Sequence, residues 1–272
     1  MTEGSRPILR VTSILSVVLG LCTSYASGQT ATPIERATLL EPDQKTPELS
    51  TEELRTILAT KSATVFDARP FNEYAVSHIP GAVNVSAKPG VSISLYVSDI
   101  AEVGRVVGDD KLAPIVLYCN GPFCGKSKRL ADELLAAGFT RVRRYQLGIP
   151  VWRALGGVTQ IEFEGLQYVR EQDGTAVWID ARDAEESAAS PVPNARSLPF
   201  SGVKPGKDVG EVKKAKDDGR LPMNDHNTRI IVFGRDGAQT QAVAEALARE
   251  AFHNVSYFGG PLEKLRTAAS PR

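Results

Sequence analysis

Apolar and polar positions fall along this chain in blocks that name its elements. A short apolar run, residues 11–21, stands alone near the start, and a polar stretch holding Pro33, Pro42 and Pro47 follows it. Beyond residue 48 the pattern becomes regular. Residues 63–66 form an apolar, β-prone run that ends at Asp67-Ala68-Arg69, and residues 115–118 (Ile-Val-Leu-Tyr) are apolar throughout. An unbroken apolar run of that length suits a strand covered on both faces of a parallel sheet. A glycine-containing loop follows, and then Leu130, Leu134 and Leu135 recur at helical spacing. Ser127 is placed to cap that helix and Gly138 to stop it.

The same rhythm then returns. Trp178-Ile179-Asp180-Ala181-Arg182 repeats Val65-Phe66-Asp67-Ala68-Arg69 at an offset of 113 residues. Pro191-Val192-Pro193-Asn194-Ala195 answers His78-Ile79-Pro80-Gly81-Ala82, and Phe252 and Val255 answer Phe139 and Val142, again at 113. Residues 230–233 are a second all-apolar run, after which Thr240 is placed to cap a helix striped by Val243, Ala244 and Leu247 and ended by Ala251. A repeat this long is a duplicated domain rather than a solenoid unit. Alternation of strand, loop and helix predicts an α/β fold of two domains, each a central parallel sheet flanked by helices. The expected boundaries are a leader at 1–28, a tether at 29–47, domains at 48–160 and 161–266, and a tail at 267–272. Trp152 and Trp178 are expected in the cores.

Composition changes this picture only at the edges. Apolar residues make up 42% and charged residues 24%, values of an ordinary globular protein. Thirty-two basic residues balance thirty-two acidic ones, so no net field draws the chain to nucleic acid or an anionic membrane. Arg6 and Arg10, the apolar run, and the small residues of Ser24-Tyr25-Ala26 or Ala26-Ser27-Gly28 read as an export signal. The run is shorter than the roughly 20 residues a spanning helix needs. A periplasmic or secreted protein without stable membrane insertion after cleavage is expected, with an uncleaved N-terminal anchor as the alternative. Leu21 before Cys22 argues against lipidation. Cleavage would leave Cys119 and Cys124 in an oxidising compartment.

Those two cysteines carry the candidate chemistry. The loop reads Cys119-Asn120-Gly121-Pro122-Phe123-Cys124-Gly125-Lys126-Ser127, with Cys119 at the carboxyl end of a buried strand, where open α/β sheets bind ligands. Backbone N–H groups of a tight loop and of a helix start form an anion cradle that favours thiolate over thiol. Lys126, Lys128 and Arg129 add positive charge. Three scattered histidines and two loop cysteines make no metal site, and no cofactor is expected. A cysteine phosphatase would need an arginine six positions after its nucleophile, and Gly125 stands there.

The series Asp67-Ala68-Arg69, Glu73-Tyr74, His78-Ile79-Pro80-Gly81-Ala82, Asn84, Leu117-Tyr118-Cys119 and Gly148-Ile149-Pro150-Val151-Trp152 resembles the rhodanese family over nearly all of residues 48–160, and more weakly over 161–265. The resemblance implies a sulfurtransferase whose Cys119 takes sulfane sulfur from a small anionic donor such as thiosulfate and passes it, as a persulfide, to a thiol or cyanide acceptor. Asn120, Gly121, Cys124, Gly125, Lys126 and Ser127 would line the donor site. Asp67 and Arg69 are expected to pair in support of the fold, with a donor contact from Arg69 as the other assignment. His78 lies in a turn that the family uses structurally. The chain departs from the common pattern in having Lys126 where an arginine is frequent, a longer loop, and the extra Cys124. The second copy has Gly234 in the place of Cys119 and a loop two residues shorter, so it is expected to be non-catalytic. Two other readings stay open: a thiol redox protein using the Cys119/Cys124 pair, and a binding module without turnover.

Overall fold

The computed structural model describes residue 1 and residues 33–86, 92 and 99–268; the expected leader and Cys22 lie outside them. The first domain runs α1 (Thr51–Thr60), β1 (Thr64–Asp67), α2 (Phe71–Val76), β2 (Val83–Asn84), α3 (Ile100–Val106), β3 (Ile115–Tyr118), α4 (Gly125–Ala136), β4 (Val142–Tyr145) and α5 (Gly148–Ala154). The second runs β5 (Thr159–Gln160), α6 (Phe163–Gln172), β6 (Val177–Asp180), α7 (Ala184–Ser187), β7 (Arg196–Ser197), α8 (Gly210–Asp217), β8 (Ile230–Phe233), α9 (Gly237–Arg249), β9 (Val255–Tyr257) and α10 (Glu263–Ala268). Among the described residues the first sheet is ordered β2-β1-β3-β4 and the second β5-β9-β8-β6-β7, all pairs parallel. The two-domain α/β fold expected from the repeat is the one observed.

Strand alternation sorts the cores onto the two faces of each sheet. In the first domain Val65, Val116 and Tyr118 face a layer with Leu54 and Trp152, while Phe66, Ile115 and Leu117 face Val103, Leu130 and Leu134. In the second, Ile179, Ile230 and Val232 face α8 and α9, whereas Ile231 and Phe233 face Leu166 and Val169 of α6, with Trp178 packed beside them. The central strands β3 and β8 are buried along their whole length, as their unbroken apolar runs require. Strands β1 and β6 each end in a buried ion pair, Arg69 to Asp67 at 2.5 Å and Arg182 to Asp180 at 2.6 Å.

Three expected boundaries move. Residues 33–47, the described part of the expected tether 29–47, pack against the first sheet: Arg144 N–H donates to the Pro47 carbonyl at 3.0 Å and Leu49 N–H to the Arg144 carbonyl at 2.8 Å. This segment lies beside β4 as β5 lies beside β9, so the duplication extends to its edge strand. The domain boundary falls before Val158 instead of after Gln160, because Val158 sits in the second core and Thr159–Gln160 pairs with β9. The tail begins later than expected, since α10 continues to Ala268.

The domains join along α2 and α6. Glu162 N–H donates to the Ala75 carbonyl at 2.8 Å, and His78 and Gln160 exchange backbone bonds of 2.9 and 2.8 Å. Gly165 sits so close that a Cβ there would lie 2.1 Å from the Ala75 carbonyl oxygen. His78 stacks on Tyr74 with ring centres 3.8 Å apart, and burial pulls its pKa down to about 4. It is a neutral member of the junction, consistent with the structural role its turn suggested.

Candidate active site

The loop between β3 and α4 is shaped by two glycines. Gly121 has φ +111°, and Gly148, φ +61°, opens α5 directly beneath it. A Cβ on Gly148 would lie 2.3 Å from Gly121 N and 2.5 Å from the Cys119 carbonyl oxygen, so only glycine lets α5 support the loop. Phe123, also at positive φ, projects from the loop tip and is 96% exposed.

The helix does not begin where the sequence pattern placed it. Cys124 is the N-cap of α4, in extended backbone and with no side-chain cap, and Ser127 lies inside the first turn. Ser127 is therefore free of capping duty, and its N–H and hydroxyl both point at Cys119, whose sulfur lies 3.4 Å from Ser127 Oγ. The N–H groups of Lys126 and Asn120 face the Cys124 sulfur instead. The two thiols interact within the one loop, and Cys119 Sγ donates to the Cys124 carbonyl at 3.4 Å. Cys119 itself is 2% exposed, while Cys124 is half-buried.

This arrangement divides the charge. The hydrogen bond from Cys119, with the Lys126 and Asn120 amides and the Lys126 ammonium, outweighs partial burial and draws the Cys124 thiol down to about 5. The same hydrogen bond and deeper burial push Cys119 up, against the pull of the Ser127 hydroxyl and N–H. The pair thus gives up its first proton readily and its second with difficulty. The two titrate as a pair, with Cys124 drawn toward ionisation and Cys119 held toward its protonated form.

Three side chains near the loop, Glu73, Arg144 and Glu41, were not singled out for function by sequence reasoning. Glu73 of α2 accepts from Asn120 Nδ2 at 2.6 Å and from Lys126 Nζ at 3.3 Å, tying both limbs of the loop to one carboxylate. On the other side Arg144 of β4, 2% exposed, approaches Ser127 Oγ through Nε and Nη2 at 3.4 Å each. Its Nη1 lies 3.3 Å from Glu41 in the N-terminal segment. The available signal was an arginine within the strand run Val142-Arg143-Arg144-Tyr145: if both faces of that strand are covered, one arginine must find a buried partner.

The structure thus brings Cys119, Asn120, Gly121, Cys124, Gly125, Lys126 and Ser127 together in one loop and helix start, and commits Arg69 to other partners. The Arg69 guanidinium is spent on Asp67 and on the Ser77 carbonyl at 2.5 Å, and is 4% exposed. A donor contact from Arg69 is set aside in favour of the fold-supporting pair. A cavity of about 840 Å³ lies between the domains and is lined by Arg55, Trp152, Gln241, Glu245 and His253; no residue of the cysteine loop lines it.

In the second copy the equivalent helix start is closed. Asp236, not Thr240, caps α9, and its Oδ1 accepts from Ala238 N at 2.8 Å and Gln239 N at 3.0 Å. Thr240 turns its hydroxyl back to the Asp236 carbonyl at 2.7 Å. A cavity of about 480 Å³ lined by Arg182, Ser201, Gly234 and Arg235 stands over this start.

Sequence comparison agrees with the geometry: the profile of the Rhodanese-like domain matches residues 50–155 and 167–267, most of the chain. The chain belongs to the rhodanese-like family. Its two rhodanese-like domains correspond to the two sheets described above. The HTH-type transcriptional regulator Rv0324 of Mycobacterium tuberculosis is 31% identical over 94 residues, which are 34% of this chain and 35% of the regulator. The chain therefore spans about a third of that relative's length. Among solved structures it is similar to a thiosulfate sulfurtransferase from Pseudomonas aeruginosa (17% identity, TM-score 0.37, covering 83% of this chain and 43% of the other). It is also similar to SseA from Escherichia coli, described among 3-mercaptopyruvate sulfotransferases (17% identity, TM-score 0.35, covering 80% and 99%).

Proposed function

We propose that this rhodanese-like protein is a sulfurtransferase that takes sulfane sulfur from a small anionic, thiosulfate-like donor onto Cys119 and passes it to a thiol or cyanide. The observation that carries the reading is the placement of the Cys119 sulfur at the carboxyl end of β3, facing the N–H and hydroxyl of Ser127 in the first turn of α4. In the first step Cys119 gives its proton to the Cys124 thiolate as its sulfur attacks the outer sulfur of the donor. The donor's S–S bond breaks and sulfite leaves with the electron pair. In the second step the acceptor's lone pair attacks the outer sulfur of the persulfide, and the Cys119 thiolate leaves. Helix-start amides directed at the persulfide stabilise its charge.

Intact mass tests this reading. Thiosulfate is expected to add one sulfur atom to a peptide containing Cys119, and cyanide to remove it. A Cys119→Ser variant that keeps the wild-type transfer rate sinks the assignment.

The closeness of the two cysteines, with the Cys119 sulfur 3.4 Å from the Cys124 carbonyl and both thiols free, favours a second reading, a redox pair in which an oxidant joins Cys119 and Cys124 in a disulfide. Peptide mapping after peroxide decides it: a Cys119–Cys124 disulfide supports the pair, and over-oxidised Cys119 with no disulfide rejects it. Export to the periplasm or medium belongs to the proposal as well, supported by Arg6, Arg10 and the apolar run 11–21. N-terminal sequencing of protein from its native compartment tests it, with a start after Ala26 or Gly28 expected.

A further inference from the structure

The buried arginine of β4 has no duty in the steps above. We propose that Arg144, anchored by Glu41, is a positioning residue that fixes the Ser127 hydroxyl as a hydrogen-bond donor to the Cys119 sulfur, making the segment around Glu41 part of the active site. The proposal rests on Cys119 being the sulfur carrier.

The argument is one of donor and acceptor counting. A guanidinium has donors only, and a serine hydroxyl has one proton and two lone pairs. Arg144 Nε and Nη2 each lie 3.4 Å from Ser127 Oγ, so the hydroxyl meets Arg144 with its lone pairs. Its single proton then has the Cys119 sulfur, also at 3.4 Å, as partner. A serine in a helical turn otherwise tends to spend that proton on a backbone carbonyl, as Thr240 does in the second copy. When Cys119 loses its own proton, its bond to the Cys124 carbonyl is lost, while the hydroxyl bond becomes charge-assisted and stronger.

Arg144 can hold this post only if its charge is answered. Glu41 does so at 3.3 Å, and Gln146 Nε2 steadies Glu41 at 2.6 Å and Gln44 at 2.8 Å. At the repeat-equivalent position the cysteine-free copy has Tyr257, so the buried arginine occurs only in the copy that has the nucleophile. The charged and titratable groups around Cys119 are Cys124 and Lys126 in its loop, Glu73 from α2, Arg144 with Glu41, and Tyr118 with the Asp67–Arg69 pair beyond it.

The test reads the Cys119 thiol directly. In full-length Cys124→Ser protein, the rate of iodoacetamide labelling at Cys119 is followed against pH by peptide mapping, with folding checked by circular dichroism. Arg144→Gln and Ser127→Ala are each expected to slow labelling at pH 7 about tenfold, the equivalent of one pKa unit. The double variant is expected to match Ser127→Ala alone, because Arg144 acts through that hydroxyl. Arg144→Lys is expected to recover part of the rate. Glu41→Gln separates positioning from simple charge: losing a carboxylate speeds labelling if only the field matters, and slows it if Arg144 loses its place. Arg143→Gln, which removes the neighbouring arginine paired with Glu53 on the surface, is expected to leave the profile unchanged. Unchanged labelling in Arg144→Gln, additive effects in the double variant, or faster labelling in Glu41→Gln overturns the proposal. If Arg144→Gln does not fold, Ser127→Ala and Glu41→Gln still decide it. Thiosulfate-dependent mass gain on the wild-type protein is measured in parallel. Its absence removes the sulfur-carrier reading and leaves the labelling result to stand alone.

Discussion

The loops after β3 and β8 start from the same frame: a fully buried strand, a neighbouring strand ending in a buried Asp–Arg pair, and a helix whose first amides point back toward the strand end. They differ in what those amides hold. In the first domain the amide of Ser127 faces the Cys119 sulfur and that of Lys126 the sulfur of Cys124, an N-cap residue with no side-chain oxygen to bind them. In the second domain the amides at the same helix positions, those of Ala238 and Gln239, are both bound by Asp236. One cradle is left for chemistry; the other is filled by the chain's own carboxylate, which stabilises the helix and excludes an anion. The missing cysteine is thus one of two differences between the copies at this point.

The largest expected effect comes from trying to exchange the two states. Cys119→Ser is expected to lower thiosulfate-to-cyanide transfer by about a thousandfold or more, since the covalent carrier is gone. Adding Gly234→Cys is expected to restore almost nothing. A Cβ on Gly234 lies 2.8 Å from Thr240 Oγ1, and the amides that a persulfide would need are already taken. A double variant with more than a tenth of wild-type activity would show that the filled cradle is immaterial.

A second contrast concerns support. The α2 helix carries Glu73, which ties Asn120 and Lys126, and α6 of the second domain packs on the opposite end of α2. Gly165→Ala would drive a methyl group into the Ala75 carbonyl, at a cost of about 1–3 kcal/mol in unfolding free energy. It is expected to lower transfer several-fold through the displaced Glu73, and an unchanged kcat/KM would uncouple the second domain from the loop. Acid offers an independent probe of the junction. The folded pKa of His78, about 4, lies below the unfolded value of 6.5. Stability from keeping it neutral is complete above about pH 6.5 and is lost as pH falls toward 4, roughly 3 kcal/mol in all. Glu162, facing His78 at 3.5 Å, has its carboxyl pushed up by burial and offsets part of this loss. Urea unfolding at pH 7 and pH 4.5, compared with His78→Gln, measures it.

On the proposed mechanism the dithiol is expected to set the pH range of transfer. If Cys124 receives the Cys119 proton, transfer requires ionised Cys124, so the rate is expected to be sustained above about pH 5 and to fall below it. Cys124→Ser removes that base and is expected to keep transfer, reduced several-fold at pH 6, with its acid limb moved toward ordinary thiol values. A limb that stays near pH 5 in this variant would assign the ionisation to another group.

How much of this was legible in the sequence depends on whether a feature is local. The two all-apolar strands, the Asp-Ala-Arg turns and the contrast of Cys119 with Gly234 are short patterns, and each lies in the structure where its pattern put it. The start of α4 was misplaced because Cys124 is a poor capping residue by propensity whereas Ser127 is a good one; at α9 the good cap Asp236 was passed over for Thr240 by analogy with Ser127. The edge segment around Pro47 and the strand Thr159–Gln160 are too short for periodicity to announce and exist through pairing with β4 and β9. A cut after Gln160 would therefore strand two residues of the second sheet, and one after Gly157 is the sounder division. Glu41 and Arg144 lie 103 residues apart, a separation that no local pattern bridges.

The smallest effect sharpens the comparison most. If Asp236 fills the cradle that the first domain leaves open, Asp236→Ala should do two things at once. It removes a helix cap, at a cost of about 1 kcal/mol, and it frees the amides of Ala238 and Gln239 beneath a cavity that already exists. Sulfate or thiosulfate should then stabilise the variant through this site by more than it stabilises wild type, because ligand binding to the folded state raises stability by mass action. Sodium chloride at matched ionic strength controls for screening. The reciprocal change, Cys124→Asp, should place a carboxylate over the Lys126 and Ser127 amides, raise stability by a similar amount and abolish persulfide formation on the otherwise intact Cys119. If Asp236→Ala gains nothing from sulfate, or Cys124→Asp still takes up sulfur, occupancy of the helix start is not what separates the two copies, and the two-residue difference in loop length becomes the better account.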